Sequence, residues 1–353
     1  MKLALSMGYV LGSGPANSAQ DVVALAQEAE RLGYSVVWTA EAYGSDAATV
    51  LAYLAAKTDR IGLGAAVMQI PARTPAMTAM TAATLDLLSA GRLRLGLGVS
   101  GPQVSEGWHG VRFDKPLART REYVEIVQQA LRRQTVTHDG EFFPLPLPDG
   151  PGKPLKLSVH PARDHIPLYL AAVGPKNLEL TGEIADGWLA IFFSPEYAAQ
   201  SFEHLEAGRA TAGRTGTPFD VAATVPVVVG PDVETCAEPL RAYAALYVGG
   251  MGSRRQNFYN QLARRMGFEK EAEFVQDLYL DRRHREAMAA VPLEFIDQTS
   301  LIGPRERIAD RLHAFSEAGV TTLSVSTFAP DLSMRIATLR VVSEALATAG
   351  LAD

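Results

Sequence analysis

Residues 182–193, GEIADGWLAIFF, decide the fold: a stretch with helical spacing gives way at a glycine to a short apolar run. The same junction recurs at 29–41 (AERLGYSVVWTAE), 87–100 (LLSAGRLRLGLGVS) and 316–328 (SEAGVTTLSVSTF). Gly33, Gly91, Gly187 and Gly319 stand where a helix C-terminus wants a left-handed residue, which glycine adopts without steric cost. A fifth junction, 57–68 (KTDRIGLGAAVM), uses Asp59 and Arg60 instead. Short apolar strands that each follow a helix are the mark of a parallel sheet covered by helices.

Working outward, eight strands are expected at 3–8, 36–41, 61–68, 93–100, 168–174, 187–193, 221–230 and 321–328. Between them lie helical patterns, as with Val22, Leu25, Ala26, Ala29 and Leu32, or with Ile308, Leu312 and Phe315 after Pro304. An open Rossmann-type sheet is the competing architecture. Eight evenly recurring βα units favour closure into a (β/α)8 TIM barrel, an α/β fold. At 353 residues the chain suits one barrel domain, 1–353, with insertions at 101–117, 133–167 and 251–299. The middle insertion carries seven prolines, with PLPLPDGPGKP at 144–154. It reads either as a wall beside the barrel mouth or as a stiff surface connection.

Composition narrows the function. The hydrophobic fraction is 47%, and a net charge of −6 gives no reason to expect nucleic acid or an acidic membrane as partner. No apolar run reaches the roughly 18 residues that a membrane span requires. The opening MKLALSMGYVLGSGPANSA is too interrupted for an export signal and better suits a first strand. Cys236, the single cysteine, sits in a helical pattern and fits a reducing, cytoplasmic setting. The seven histidines form no H-x-H or H-E-x-x-H pattern, so no metal site is expected. Neither a G-x-S-x-G elbow nor a Walker loop is present.

Three stretches remain as candidate chemistry. At 60–77 (RIGLGAAVMQIPARTPAM) small residues end the third strand, either leaving room for a planar ring or simply packing tightly. At 93–102 (LRLGLGVSGP) Gly96, Gly98 and Gly101 surround Ser100, permitting close backbone approach or forming a plain turn. At 168–180 (LYLAAVGPKNLEL) a strand runs straight into a helix whose first turn is Gly174–Pro175–Lys176–Asn177. Its free N–H groups and the positive helix end suit an anion such as phosphate, with Lys176 adding charge; a capped helix start with no ligand is the alternative.

Taken together, 40–47 (AEAYGSDA), 64–80, 91–108, 116–127 (PLARTREYVEIV), 170–177 (LAAVGPKN) and 183–188 (EIADGW) resemble the luciferase-like monooxygenase superfamily. More narrowly they are similar to its actinobacterial oxidoreductases that use the 8-hydroxy-5-deazaflavin coenzyme F420. The resemblance spans nearly the whole chain in order. It implies a non-proline cis peptide at Ala66–Val67 under the coenzyme ring, with Gly98, Val99, Ser100 and Gly101 alongside. It also implies that the coenzyme phosphate is held by Ala172, Val173, Gly174, Pro175, Lys176 and Asn177. Several relatives carry an acid–histidine pair after the second strand; here the place reads Glu41–Ala42, so that histidine is missing. Glu41, Tyr43 and His109 are left as candidate catalytic groups.

The implied reaction is hydride transfer between coenzyme F420 and a small organic substrate, with Tyr9, Tyr43, Trp108, Phe192, Phe193 and Phe328 as candidate cavity walls. Alternatives are an FMN-dependent monooxygenase and a protein that binds flavin or deazaflavin without turnover; a hydrolase lacks its nucleophile signature. A homodimer is expected, since the resemblance implies one.

Overall fold

Most of the helices begin where a side chain or a proline starts them. The computed structural model describes residues 1–8 and 18–352, so Tyr9 lies outside the described residues. The chain opens with β1 (Lys2–Gly8), α1 (Ala19–Arg31), β2 (Val36–Thr39), α2 (Ala47–Ala55), β3 (Gly62–Ala65), β4 (Met68–Gln69) and α3 (Pro75–Leu88). It continues through β5 (Leu93–Gly98), α4 (Pro102–Gly107), α5 (Pro116–Leu131), β6 (Leu168–Ala171), α6 (Pro175–Ile184), β7 (Gly187–Ile191) and α7 (Ala198–Thr211). Then come β8 (Asp220–Val229), α8 (Val233–Ala245) and four short helices: α9 (Phe258–Arg265), α10 (Glu269–Leu280), α11 (His284–Ala290) and α12 (Leu293–Gln298). The last elements are β9 (Leu301–Gly303), α13 (Arg305–Glu317), β10 (Thr322–Thr327) and α14 (Leu332–Thr348). Ser18 caps α1 in a reciprocal box with Asp21, and Asp46 and Thr74 cap α2 and α3.

Every strand pairing is parallel, and β10 pairs with both β1 and β8, which closes the sheet. Counting β3 and β4 as one interrupted position, the barrel has eight staves, and the open-sheet alternative falls away. Leu3, Leu5, Val37, Leu63, Leu95, Leu323 and Val325 face the helices, while Ala4, Val36, Trp38, Tyr169, Leu189 and Ala222 fill the interior. Trp38 is the largest interior side chain. It packs edge-on to Tyr169 at 5.2 Å, and a Cβ on Gly64 would lie 2.1 Å from its ring. At the lower end Asp220 accepts from Tyr169, Thr321 and Thr322 and faces Arg94 at 3.8 Å.

Gly33, Gly91 and Gly319 have φ of 80°, 81° and 95°, as their junctions require. Gly187 differs. It has no left-handed backbone and opens β7, where a Cβ would meet the Tyr169 ring at 2.4 Å; the glycine serves interior packing, not helix termination.

The insertions part company. Residues 132–167 connect α5 to β6, a connection that begins and ends at the lower rim; antiparallel bridges Thr135–Lys156 and His138–Leu145 stiffen it. Arg163 pins it to the buried Asp86 at 2.6 Å and to the Leu93 carbonyl. The stiff surface connection is therefore the correct reading of this segment, not a wall at the mouth. Residues 230–300 leave the upper end of β8 through α8 and, with α9 to α12, build a second apolar cluster over it that includes Leu240, Leu262, Phe268, Val275 and Phe295. Directly after it, β9 pairs with the upper end of β8, a strand that the pattern of the sequence does not suggest. Among the described residues no helix is long and apolar enough to cross a membrane.

Candidate active site

At the upper rim the third stave breaks. Ala66–Val67 is a cis peptide, and β3 resumes as β4 only at Met68. Gly96 and Gly98 of the neighbouring β5 allow this: a Cβ on Gly96 would stand 1.8 Å from the Ala65 carbonyl, and one on Gly98 2.7 Å from Val67. Ala66 and Val67 pack against the interior cluster yet stay partly open at the mouth. Beyond Gly98, Val99 leads to Ser100, whose φ of 63° turns the chain into Gly101, the extended residue that starts α4.

Beside this shelf lies the first turn of α6. Gly174 is its N-cap with no side-chain cap, Pro175 is the first helical residue, and a Cβ on Gly174 would meet nothing within 4 Å. The turn is rigid from below. Asn177 donates from Nδ2 to the Ala171 carbonyl at 3.1 Å, and Trp188 donates to that of Ala172 at 2.9 Å. Lys176 points out to solvent and pairs with Glu179 at 2.7 Å. The cation that reaches this loop is Arg265 of α9, which donates to the Val173 carbonyl at 3.0 Å; sequence spacing offers no clue to it.

Glu41 sits at the end of β2 and is almost wholly buried. Its Oε1 accepts from the N–H of Ala47 and from Arg73, and its Oε2 accepts from the N–H of Gln69 and from Arg73. Four donors occupy the four acceptor positions of a carboxylate. Burial works against the Arg73 charge, but Glu41 and Asp46 outweigh it and hold the guanidinium above its ordinary range. This clamp fixes the β2–α2 loop against the strand break.

His109 turns inward while Trp108 beside it is 65% exposed. Its Nε2 lies 3.0 Å from Gln69 Oε1, and Gln69 Nε2 donates to Ser100 Oγ at 2.9 Å. Gln69 is buried, a polar residue inside the apolar run AAVMQIP, and that contrast is the signal by which it is recognisable. Tyr43 is also 65% exposed and lies near Tyr279, whose phenol pKa is raised by burial and then by Tyr43. Phe192 packs at 5.3–6.1 Å from Tyr243, Tyr247, Tyr259 and Phe295, and Phe328 joins Tyr243 at 5.4 Å. Phe193 lies instead in the outer core against Phe315, so it is not a cavity wall. Among the described residues no cluster of three or more His, Cys, Asp or Glu is placed to hold a metal.

The sequence model of the family described as Luciferase-like monooxygenase matches residues 3–322. The chain belongs to that family. Among curated relatives, "Putative coenzyme F420-dependent oxidoreductase Rv3520c" of Mycobacterium tuberculosis is 44% identical over 92% of this chain and 95% of its own. The 5,10-methylenetetrahydromethanopterin reductase of Archaeoglobus fulgidus is 30% identical over 86% of this chain and 88% of its own. Among solved structures, the coenzyme F420-dependent tetrahydromethanopterin reductase from Methanopyrus kandleri superposes with a TM-score of 0.80 at 23% identity, covering 97% of both chains. An F420-dependent secondary alcohol dehydrogenase, solved with an F420–acetone adduct, gives 0.79 at 20% identity, covering 100% of this chain and 99% of that one. These likenesses establish the luciferase-like barrel as the fold.

Proposed function

We propose that this chain is an oxidoreductase that uses coenzyme F420 to move a hydride to or from an organic substrate. One observation carries the reading: a shelf of small residues at Ala66–Val67 and Gly98 lies next to an uncapped helix start at Gly174 with open space above it. A planar tricycle with a phosphate-bearing side chain needs those two features side by side. The 44%-identical relative named for coenzyme F420 supports the same choice.

When bound, the deazaflavin supplies the hydride acceptor or donor. Val67 and Gly98 would bear the ring, Ser100 would meet its edge, and the Gly174–Asn177 turn with Arg265 would hold the phosphate. The helical cluster above β8 keeps water from the mouth. For the proton that accompanies the hydride we assign His109, the inward imidazole oriented by Gln69. Tyr43 is the second choice. Glu41 is assigned to holding Arg73 and the strand break, since no acceptor position on it stays free.

Residues 1–353 act as one unit in this reading, in a reducing cytoplasm that suits the single, buried Cys236. The unit pairs as a homodimer through α2 and α3, where Tyr53, Met77, Met80, Leu87 and Leu88 make an exposed apolar face. Fluorescence titration with F420 and with FMN tests the cofactor: tight F420 binding is expected, and tight FMN binding with none of F420 would overturn the assignment. Light scattering tests the dimer, with Met80→Glu expected to yield monomers.

A further inference from the structure

The two ends of α9 stand at different parts of the site. Its last residue, Arg265, donates to the Val173 carbonyl at 3.0 Å, in the loop that starts α6. Its first residue, Phe258, meets the ring of Phe113 at 6.2 Å, on the loop that follows α4. At a helical rise of about 1.5 Å per residue, roughly 10 Å separates those ends. The helix between them is firmly held. Asn257 Oδ1 accepts from the N–H groups of Tyr259 and Asn260, and its amide donates to the carbonyls of Tyr247 and Val248. Asn260 donates to the carbonyls of Val248 and Ala272 at 3.1 and 2.7 Å. Both asparagines are buried, so releasing α9 would strand their amides without partners. It behaves as a strut.

What the strut touches at Phe113 is itself one piece. The Val111 N–H donates to the Ser105 carbonyl at 2.9 Å, and Ser105 Oγ donates to the Val111 carbonyl at 2.6 Å. The Phe113 N–H donates to Glu106 Oε1 at 3.0 Å, and the His109 N–H to the Val104 carbonyl at 3.1 Å. Residues 104–113 are thus tied together, and they carry His109. A displacement of Phe113 displaces the imidazole with it.

Arg265 supplies the force at the other end. Among the described residues it pairs with no carboxylate, and its guanidinium bonds a neutral carbonyl. An anionic phosphate at the Gly174–Asn177 turn would offer it charge-assisted bonds, which are about twice as strong as neutral ones. That gain is realised only while α9 sits against the turn. Lys176 cannot play the same part: it is 78% exposed, pairs with Glu179, and belongs to the turn itself.

We infer that α9 is the strut through which the coenzyme's phosphate positions the proton donor. Arg265 and Phe258 are positioning residues in this arrangement, and they act on His109 by way of Phe113. The inference rests on the coenzyme reading above, because it takes the Gly174–Asn177 turn as the phosphate's seat.

Hydrogen exchange of the full chain, read by mass spectrometry with and without saturating F420, tests this. In the parent, the amides of 168–180, 257–266 and 104–113 should each exchange at least fivefold more slowly once F420 is bound. In Phe258→Ala the first two segments should keep that protection, while 104–113 returns to its ligand-free rate. Arg265→Met, saturated with F420, should keep it at 168–180 alone. Phe113→Ala breaks the same contact from the other side, at a partly open position where the fold has little to lose, and should match Phe258→Ala. Protection of 104–113 that survives in Phe258→Ala and Phe113→Ala would overturn the inference alone, as would an unchanged rate at 104–113 in a parent that binds F420. No F420 binding by the parent, read by fluorescence, would overturn it together with the coenzyme reading.

Discussion

Gln69 Oε1 lies 3.0 Å from His109 Nε2, in a chain that continues through the Gln69 amide to Ser100. Because a carboxamide oxygen only accepts, this contact places the imidazole proton on Nε2 and leaves Nδ1 as the acceptor. His109→Ala is therefore expected to lower kcat by about 100-fold, the lower range for loss of a general acid or base. Gln69→Leu keeps the imidazole but frees its tautomer, and kcat should fall by about 10-fold, a smaller loss than that of the acid itself. Nitrogen NMR of His109 in the ligand-free protein should show one tautomer in the parent and a mixture in Gln69→Leu. An identical spectrum in both would remove Gln69 from this role.

Glu41 and Arg73 should behave as a structural unit. Glu41→Gln leaves a half-buried guanidinium short of its counter-charge, and breaking such a pair costs about 3 kcal/mol. Urea unfolding should show that loss, and F420 titration should show weakened binding as the strand break relaxes. Unchanged stability with a large loss of kcat would instead return Glu41 to the chemistry.

The barrel was legible because its punctuation is local: a glycine ends a helix within a few residues of the strand it introduces. The exception, Gly187, shares that local signature but is set by Tyr169, eighteen residues away, which no junction pattern records. The cis bond was legible through the resemblance, and the helix that starts straight after the sixth strand through the Gly174–Asn177 spacing. Arg73 and Arg265 were not, because they act on residues 27 to 92 positions away and only chain folding brings them together. Three-residue β9 carries no periodicity to detect. The position of the proline-rich insertion, on the other hand, follows from connectivity alone: a helix-to-strand connection starts and ends at the barrel's lower rim.

Acid should loosen the seam between α1 and α14. Arg31 and Arg340 both bind Glu28 at 2.7 Å, and the hydrogen bond from Arg31, opposed by burial and reinforced by Arg340, lowers the Glu28 pKa from 4.5 to about 2. A depressed carboxylate contributes stability that is fully present above its unfolded pKa and is lost as pH falls through the folded one. The contribution is expected in full above pH 4.5 and to vanish progressively toward pH 2. Both arginines are more than half exposed, so screening limits the effect to about 1 kcal/mol. Denaturant unfolding of Glu28→Gln should match the parent at pH 2 and fall below it at pH 6; a constant gap would show that the pair does not titrate as described.

Two glycines separate the cost of crowding the protein from the cost of crowding its ligand. An alanine Cβ at Gly98 would stand 2.7 Å from Val67, so Gly98→Ala must push on the strand break itself. It should lose about 1–3 kcal/mol of stability, as overpacked sites do, and bind F420 more weakly because the shelf has moved. At Gly174 the same atom meets nothing within 4 Å, and the backbone is extended with φ of −92°. Gly174→Ala should therefore fold with stability within about 1 kcal/mol of the parent, the range for changing an N-cap. Its methyl group would nonetheless occupy the space that the phosphate needs to approach the helix N–H groups, and F420 affinity should drop tenfold or more. Because the protein tolerates the Gly174 methyl on its own account, that drop has no source but the ligand; a Gly174→Ala variant that binds F420 as the parent does would place the phosphate elsewhere.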